Sequence, residues 1–206
     1  KISNSGQASD VSDFSFSSST VYSIDSDTSG IYVAGQTRLL KIGNAFNLVW
    51  STQIEPTISE LKVSPNGSIY LGGFFQGVKD FDPSPTSTYL LNGGGSRAFF
   101  ILKLDTAGNF IWAKAMQESS STKYVYGLSL SDDDDVALSG CFNGTLDADP
   151  DTLNYLFTSA GLRDAFVLVL DSSGVFKAAA AVGSAGNENF RAAHFKSNNE
   201  ILVAGD

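Results

Sequence analysis

Apolar and polar residues alternate along this chain in runs of about five to seven, and each run stops at Gly, Asn, Asp or Ser, the pattern of short strands joined by tight turns. One phrase recurs four times: Ile31-Tyr-Val-Ala-Gly35, Ile69-Tyr-Leu-Gly-Gly73, Val136-Ala-Leu-Ser-Gly140 and Ile201-Leu-Val-Ala-Gly205. Each copy is an apolar residue, any residue, an apolar residue, a small residue and Gly. Around each copy the other runs return in the same order. The first unit offers Val21 to Ile24, Ile31 to Gly35, Arg38 to Ile42 and Leu48 to Ile54; the second, Leu61 to Val63, Ile69 to Phe75, Phe99 to Asp105 and Phe110 to Met116. The third offers Tyr126 to Leu130, Val136 to Phe142, Phe166 to Asp171 and Val175 to Val182, and a fourth begins with Ala193 to Phe195 and Ile201 to Gly205.

A repeat of four antiparallel strands predicts an all-β propeller, here about three and a half blades. The signature glycines stand 38, 67 and 65 residues apart. The first spacing is close to the roughly 40 to 45 residues of a four-stranded blade, and the excess in the next two falls between second and third strands. The expected divisions are a Ser-rich linker or edge strand over 1–19, a short blade over 20–56, blades with insertions over 57–123 and 124–189, and the start of another over 190–206.

The units also align in detail. Leu40-Lys-Ile-Gly-Asn-Ala-Phe-Asn-Leu-Val-Trp50 lies on Leu102-Lys-Leu-Asp-Thr-Ala-Gly-Asn-Phe-Ile-Trp112, and Leu168-Val-Leu-Asp-Ser-Ser-Gly174 opens the same way. Asp105 to Gly108 and Asp171 to Gly174 read as turns in which Asp bonds the backbone and Gly takes positive φ. Trp50 and Trp112 share a blade position, replaced by Ala178 in the third unit, where a large ring can fill the gap between twisted sheets. That role outweighs sugar stacking for them.

Composition narrows the partners. Thirteen basic residues against 22 acidic ones leave a net charge of −9, a poor footing for nucleic acid or an anionic membrane. No run is long and apolar enough to span a bilayer, and no signal peptide opens the chain, which starts at Lys. The single cysteine, Cys141, lies in the third signature strand and reads as a small buried residue.

The insertions share a phrase: Gly77-Val-Lys-Asp-Phe-Asp-Pro83 and Gly144-Thr-Leu-Asp-Ala-Asp-Pro150. With the residues around it, from Gly73-Phe-Phe-Gln-Gly77 through Asp80-Phe-Asp-Pro83 and Phe100-Ile-Leu-Lys-Leu-Asp105 to Gly108-Asn-Phe-Ile-Trp-Ala-Lys114, this stretch resembles the bacterial seven-bladed β-propeller repeats called SBBP repeats. The resemblance covers residues 57–206 well and 20–56 as a shortened blade. Family repeats usually carry Asp before the third strand; Asp164 fits, whereas Ala98 departs. The resemblance implies a scaffold in a large secreted or cell-surface protein, often of Bacteroidota that use type IX secretion, and no single activity.

Propeller geometry places second-to-third connections on the face of the fourth-to-first connections, so the insertions are expected beside residues 117–123 and 183–189, on the face suited to binding. Asp147, Asp149 and Asp151 supply carboxylates at alternate positions, the opening spacing of a calcium loop, and Asp80 and Asp82 with Ser84 form a weaker copy. The EF-type loop also needs Gly sixth and Glu twelfth, where Thr152 and Thr158 stand. Asp25 to Gly30 is a further calcium-like loop, but Val33 stands where its last Asp is expected. The competing reading makes these carboxylates caps for loop N–H groups, and Asp132 to Asp135 a solvated turn.

Enzymatic chemistry finds little footing. The lone His194 sits in an alternating strand, and no nucleophile elbow, zinc-spaced His pair or phosphate loop is present. Paired carboxylates suit glycoside hydrolysis, yet their recurrence in adjacent blades argues for structure or multivalent binding. Residue 206 falls after the second strand of a blade, so the natural chain is expected to continue or to gain strands elsewhere. The expectation is therefore a non-enzymatic secreted or cell-surface propeller that binds a protein, glycan or surface. An assembly module of a larger complex comes second and a polysaccharide-acting enzyme third.

Overall fold

The computed structural model describes residues 20–117, 119, 124–151, 154–197 and 200–206; the Ser-rich stretch 1–19 lies outside them. The described residues are strands and turns. In blade 1, β1 (Val21–Asp27), β2 (Gly30–Gly35), β3 (Arg38–Gly43) and β4 (Leu48–Gln53) pair antiparallel in sequence order. Blade 2 repeats this with β5 (Thr57–Val63), β6 (Ser68–Asp80), β7 (Leu90–Asp105) and β8 (Phe110–Met116). Blade 3 consists of β9 (Tyr124–Leu130), β10 (Val136–Phe142), β13 (Asp164–Leu170) and β14 (Phe176–Val182), with a hairpin of β11 (Thr145–Asp147) and β12 (Leu156–Thr158) between its second and third strands. A pair, β15 (Phe190–Phe195) and β16 (Ile201–Gly205), opens the fourth.

The middle strands of each blade are apolar at nearly every position because both their faces are covered. Alternate residues of blade 2 divide between two cores: Ile69, Leu71, Phe100, Leu102 and Leu104 pack toward blade 1, whereas Tyr70, Phe99 and Ile101 pack toward blade 3. Side chains alternate across a sheet, so a strand buried on both faces loses the polar half of its pattern. The first strands β1, β5, β9 and β15 pack on one another in succession and form the inner edge of the array.

The signature phrase has two structural causes. Its glycine stands where the first strand of the blade bulges: pairing slips between Ile58 and Glu60 opposite Gly73 and between Ser139 and Gly140 itself. The slip drives a first-strand carbonyl, from Thr57 or Tyr124, against the glycine Cα, leaving no room for a Cβ. The small residue before it answers to the neighbouring blade. A Cβ on Gly72 would meet the Leu138 side chain at 2.7 Å.

In blade 2 the insertion is a continuation of β6 and β7, in register from Val78 with Asn92 to Asp80 with Leu90 after a slip at Gln76. In both blades the base lies beside Gln117 as expected: the Asp147 N–H donates to the Gln117 carbonyl (2.9 Å), and the Gln117 amide donates to the Asn92 carbonyl (2.7 Å). The tip folds back over the sheet. Phe81, the middle residue of Asp80-Phe-Asp82, is fully buried against Phe75 and Phe100, at ring distances of 5.0 and 5.2 Å, in the core between blades 1 and 2. Leu146 and Ala148 take the corresponding place between blades 2 and 3. Sheets arranged around an axis splay apart outward, and the insertion fills that wedge.

The Asp132 to Asp135 turn corrects an expectation. Asp132 and Asp133 are exposed, but Asp134 and Asp135 are buried. Asp134 accepts hydrogen bonds from the Ser64 hydroxyl and the Asn66 amide (3.2 Å), and its carbonyl accepts one from the Tyr70 hydroxyl (3.1 Å), which ties the corresponding turn of blade 2 to blade 3. Asp135 pairs with Lys177 at 2.5 Å. A run of four carboxylates is half solvated and half an inter-blade clasp.

Candidate functional site

The two Asp-x-Asp-Pro loops are superposable networks. Asp80 Oδ1 accepts the N–H groups of Asp82 (3.0 Å) and Tyr89 (2.9 Å); Asp147 Oδ1 accepts those of Asp149 (3.2 Å) and Tyr155 (2.9 Å). The second Asp caps the next turn, Asp82 accepting from Ser84 N–H and Asp149 from Asp151 N–H, each at 2.9 Å. Tyr89 then packs on Phe110 (4.7 Å) and Tyr155 on Phe176 (5.1 Å). The carboxylates close each loop over its own backbone, and the aromatic pair holds the loop onto the blade.

This bears on the calcium expectation. Among the described residues no group of three His, Cys, Asp or Glu side chains stands close enough together to hold a metal ion. In the third blade Asp151 turns to Lys114 at 2.5 Å. At Asp25 to Gly30 the oxygens likewise meet protein donors: Asp25 accepts the Val63 N–H (2.8 Å), and Asp27 accepts the Ser29 and Gly30 N–H groups and the Tyr32 hydroxyl. The donor set fits loop capping. Asp147→Ala, which leaves two loop N–H groups without an acceptor, should cost about 2 kcal/mol, or roughly 4 to 8 °C in unfolding temperature for a chain of this length. Scanning calorimetry in calcium and in EDTA should give the same loss in both, with wild type unmoved by the metal; a calcium-dependent rise that the variant lacks would favour the metal-loop reading instead.

A second repeated arrangement joins neighbouring blades. Trp50 of β4 donates its indole N–H to the Thr106 carbonyl in the β7–β8 turn (3.2 Å), and Trp112 of β8 donates to the Ser172 carbonyl in the β13–β14 turn (3.1 Å). Each ring lies against the glycine of that turn, Gly108 or Gly174, both at positive φ. Behind them stand Tyr32 and Tyr70, edge-on at 6.1 Å, with the ammonium groups of Lys41 and Lys103 4.9 Å from the tyrosine ring centroids. Burial pushes the Lys103 amine below its usual range, against the opposing pull of Asp134 and Asp171. In blade 3 the whole set changes together: Ala137, Val169 and Ala178 replace Tyr, Lys and Trp. The joint replacement marks a packing unit.

Trp50 also borders one of two grooves along the outer rim. Between blades 1 and 2 a groove of about 470 Å³ runs past Trp50 and Thr52, with Asp82, Ser84 and Ser87 from the insertion and Asn109 from the turn. Between blades 2 and 3 another groove, about 280 Å³, is lined by Lys114, Gln117, Asp147, Asp149 and Asp151. A third feature lies near the inner edge, on the insertion face. Tyr124, 44% exposed, stacks on Tyr126 at 5.5 Å, and the guanidinium groups of Arg163 and Arg191 lie 6.0 and 5.3 Å from the Tyr124 and Tyr126 ring centroids. Arg163 is steadied by Asn187 (3.0 Å) and Arg191 by Asp206 (2.6 Å). Sequence reasoning missed this cluster because its members come from three separate segments. His194 is exposed on β15 opposite Leu202, and Cys141 is buried in β10.

Fold and site together define an all-β array of four-stranded antiparallel blades of the β-propeller kind. No family model matches the chain. It is similar to the uncharacterized WD repeat-containing protein L264 of Acanthamoeba polyphaga mimivirus, 24% identical over 113 residues, which cover 52% of this chain and 8% of that protein. Among solved structures it is similar to a protein of unknown function from Bacteroides caccae, with a TM-score of 0.51 at 11% identity over 91% of this chain and 54% of that one. The chain thus spans about half of that structure and a small part of the mimivirus protein. Among the described residues, no helix is long and apolar enough to cross a membrane.

Proposed function

We propose that this protein is a non-enzymatic β-propeller scaffold, secreted or held at a bacterial cell surface, that binds a protein partner through the inner part of its insertion face. The observation that carries the reading is the Tyr124, Tyr126, Arg163 and Arg191 cluster: in a chain of net charge −9 it gathers two stacked tyrosines and two arginines at one place. Tyrosine and arginine are the side chains most often found at the energetic centres of protein interfaces. Rings already stacked, and guanidinium groups already oriented, lose little freedom on binding. The similarity to a WD repeat-containing protein supports the scaffold reading, and the SBBP-like phrases support secretion, with type IX export as the route and adhesion as the setting.

The test is surface cross-linking on intact host cells with a membrane-impermeant reagent, followed by isolation of the protein. The expected product joins it to another protein, and Tyr124→Ala/Arg163→Ala should remove that product while leaving the unfolding temperature within a few degrees of wild type. A protein shielded from the reagent, or a product indifferent to the double substitution, would overturn the reading.

A further inference from the structure

The outer rim between blades 1 and 2 differs at two matched positions from the rim between blades 2 and 3. Aligning the units sets Thr52 on Lys114 and Ser84 on Asp151, since Trp50 matches Trp112 and Asp82-Pro83 matches Asp149-Pro150. In the groove between blades 2 and 3 those positions are bridged at 2.5 Å by Lys114 and Asp151, which draws the insertion onto β8. Between blades 1 and 2 both are hydroxyl side chains, so no ion pair crosses, and the groove there has a volume of about 470 Å³.

We propose that this groove is a binding site for a neutral saccharide. Its lining carries one carboxylate, Asp82, and no Lys or Arg, which disfavours an anionic ligand. Trp50 is partly exposed there and fixed at both ends, by the bond to the Thr106 carbonyl and by the edge contact with Tyr32, so it offers an apolar aromatic surface at no cost in rotamer freedom. Around it stand groups that both donate and accept. Ser87 and the Ser84 N–H orient the two Asp82 oxygens, and Asp105 holds the Asn109 amide at 2.8 Å, leaving the Asn109 carbonyl oxygen to accept. An apolar plate beside paired donors and acceptors, without net positive charge, matches the alternating C–H and O–H faces of a sugar ring. The groove lies within the usual size range of small-ligand pockets. The site goes beyond the protein-partner reading and does not depend on it: the groove lies on the outer rim, the tyrosine cluster on the inner strand β9.

The experiment uses saturation-transfer NMR with the methyl glycosides of glucose, galactose, mannose and N-acetylglucosamine as probes, on wild type and on Thr52→Lys/Ser84→Asp. That double substitution transplants the Lys114 and Asp151 pair into this groove without removing a core side chain. At least one glycoside should show transfer to its ring protons, with a dissociation constant on the order of millimolar, and the double variant should weaken it at least tenfold while unfolding at or above the wild-type temperature. No transfer to any of the four, or equal transfer in the double variant, would overturn the proposal. Either result leaves the cross-linking outcome untouched, so the two readings fail separately.

Discussion

Phe81→Ala should lower the stability of this protein by about 3 to 5 kcal/mol, roughly 6 to 20 °C in unfolding temperature, although Phe81 lies in a loop-like segment flanked by two aspartates. The ring is 1% exposed and packs edge-on to both Phe75 and Phe100. Removing it leaves a cavity between two blades whose sheets are held by backbone ladders and cannot collapse inward to close it. Val78→Ala, three residues earlier in the same insertion and 58% exposed, supplies the contrast and should cost less than about 0.5 kcal/mol. Urea titrations of the two variants decide the matter: equal costs would mean that the insertion is a surface ornament and not part of the inter-blade core.

The different reach of the sequence at different places has a physical explanation. Strand positions were legible because burial on two faces leaves an uninterrupted apolar run, as in Phe99 to Leu102, and because the unit is written several times. The direction of Phe81 was not, since Val78-Lys-Asp-Phe-Asp82 keeps no strand period and reads as a polar connection, and only the splay of the blades makes a wedge for its ring. Asp134 and Asp135 were misread for a related reason. Four successive carboxylates look solvated, and the groups that draw two of them inward, Ser64 and Lys177, stand 70 and 42 residues away in the chain. The contrast between the two rim grooves was within reach of the alignment, at Thr52 against Lys114 and Ser84 against Asp151. Its meaning needed the coordinates, because only there do strand and insertion come together across a groove.

The other large effect is expected at a residue with no side chain. Gly140→Ala should cost about 3 kcal/mol or more, because a Cβ at that position would lie closer to the Tyr124 carbonyl oxygen than the 3.0 Å that real Cβ atoms keep, and would touch the Phe166 ring at 3.1 Å. Neither neighbour can yield cheaply. The carbonyl is fixed by the bulge that slips β9 against β10 between Ser139 and Gly140, and Phe166 is fully buried against Phe99 at 4.8 Å. The same collision awaits an alanine at Gly73 with the Thr57 carbonyl, and at Gly205 with the Asn189 carbonyl. The penalty therefore belongs to the repeated phrase and not to one blade. Gly95→Ala, where a Cβ meets nothing within 4 Å, should leave stability within about 0.5 kcal/mol of wild type. Since Tyr124 supplies both the obstructing carbonyl and the exposed ring of the proposed protein site, Gly140→Ala should displace that ring as well as destabilise the blade. Thermal unfolding beside the cross-linking assay would show it: a variant that unfolds as wild type does would mean that the bulge is soft and that the final glycine of the phrase serves something other than close approach.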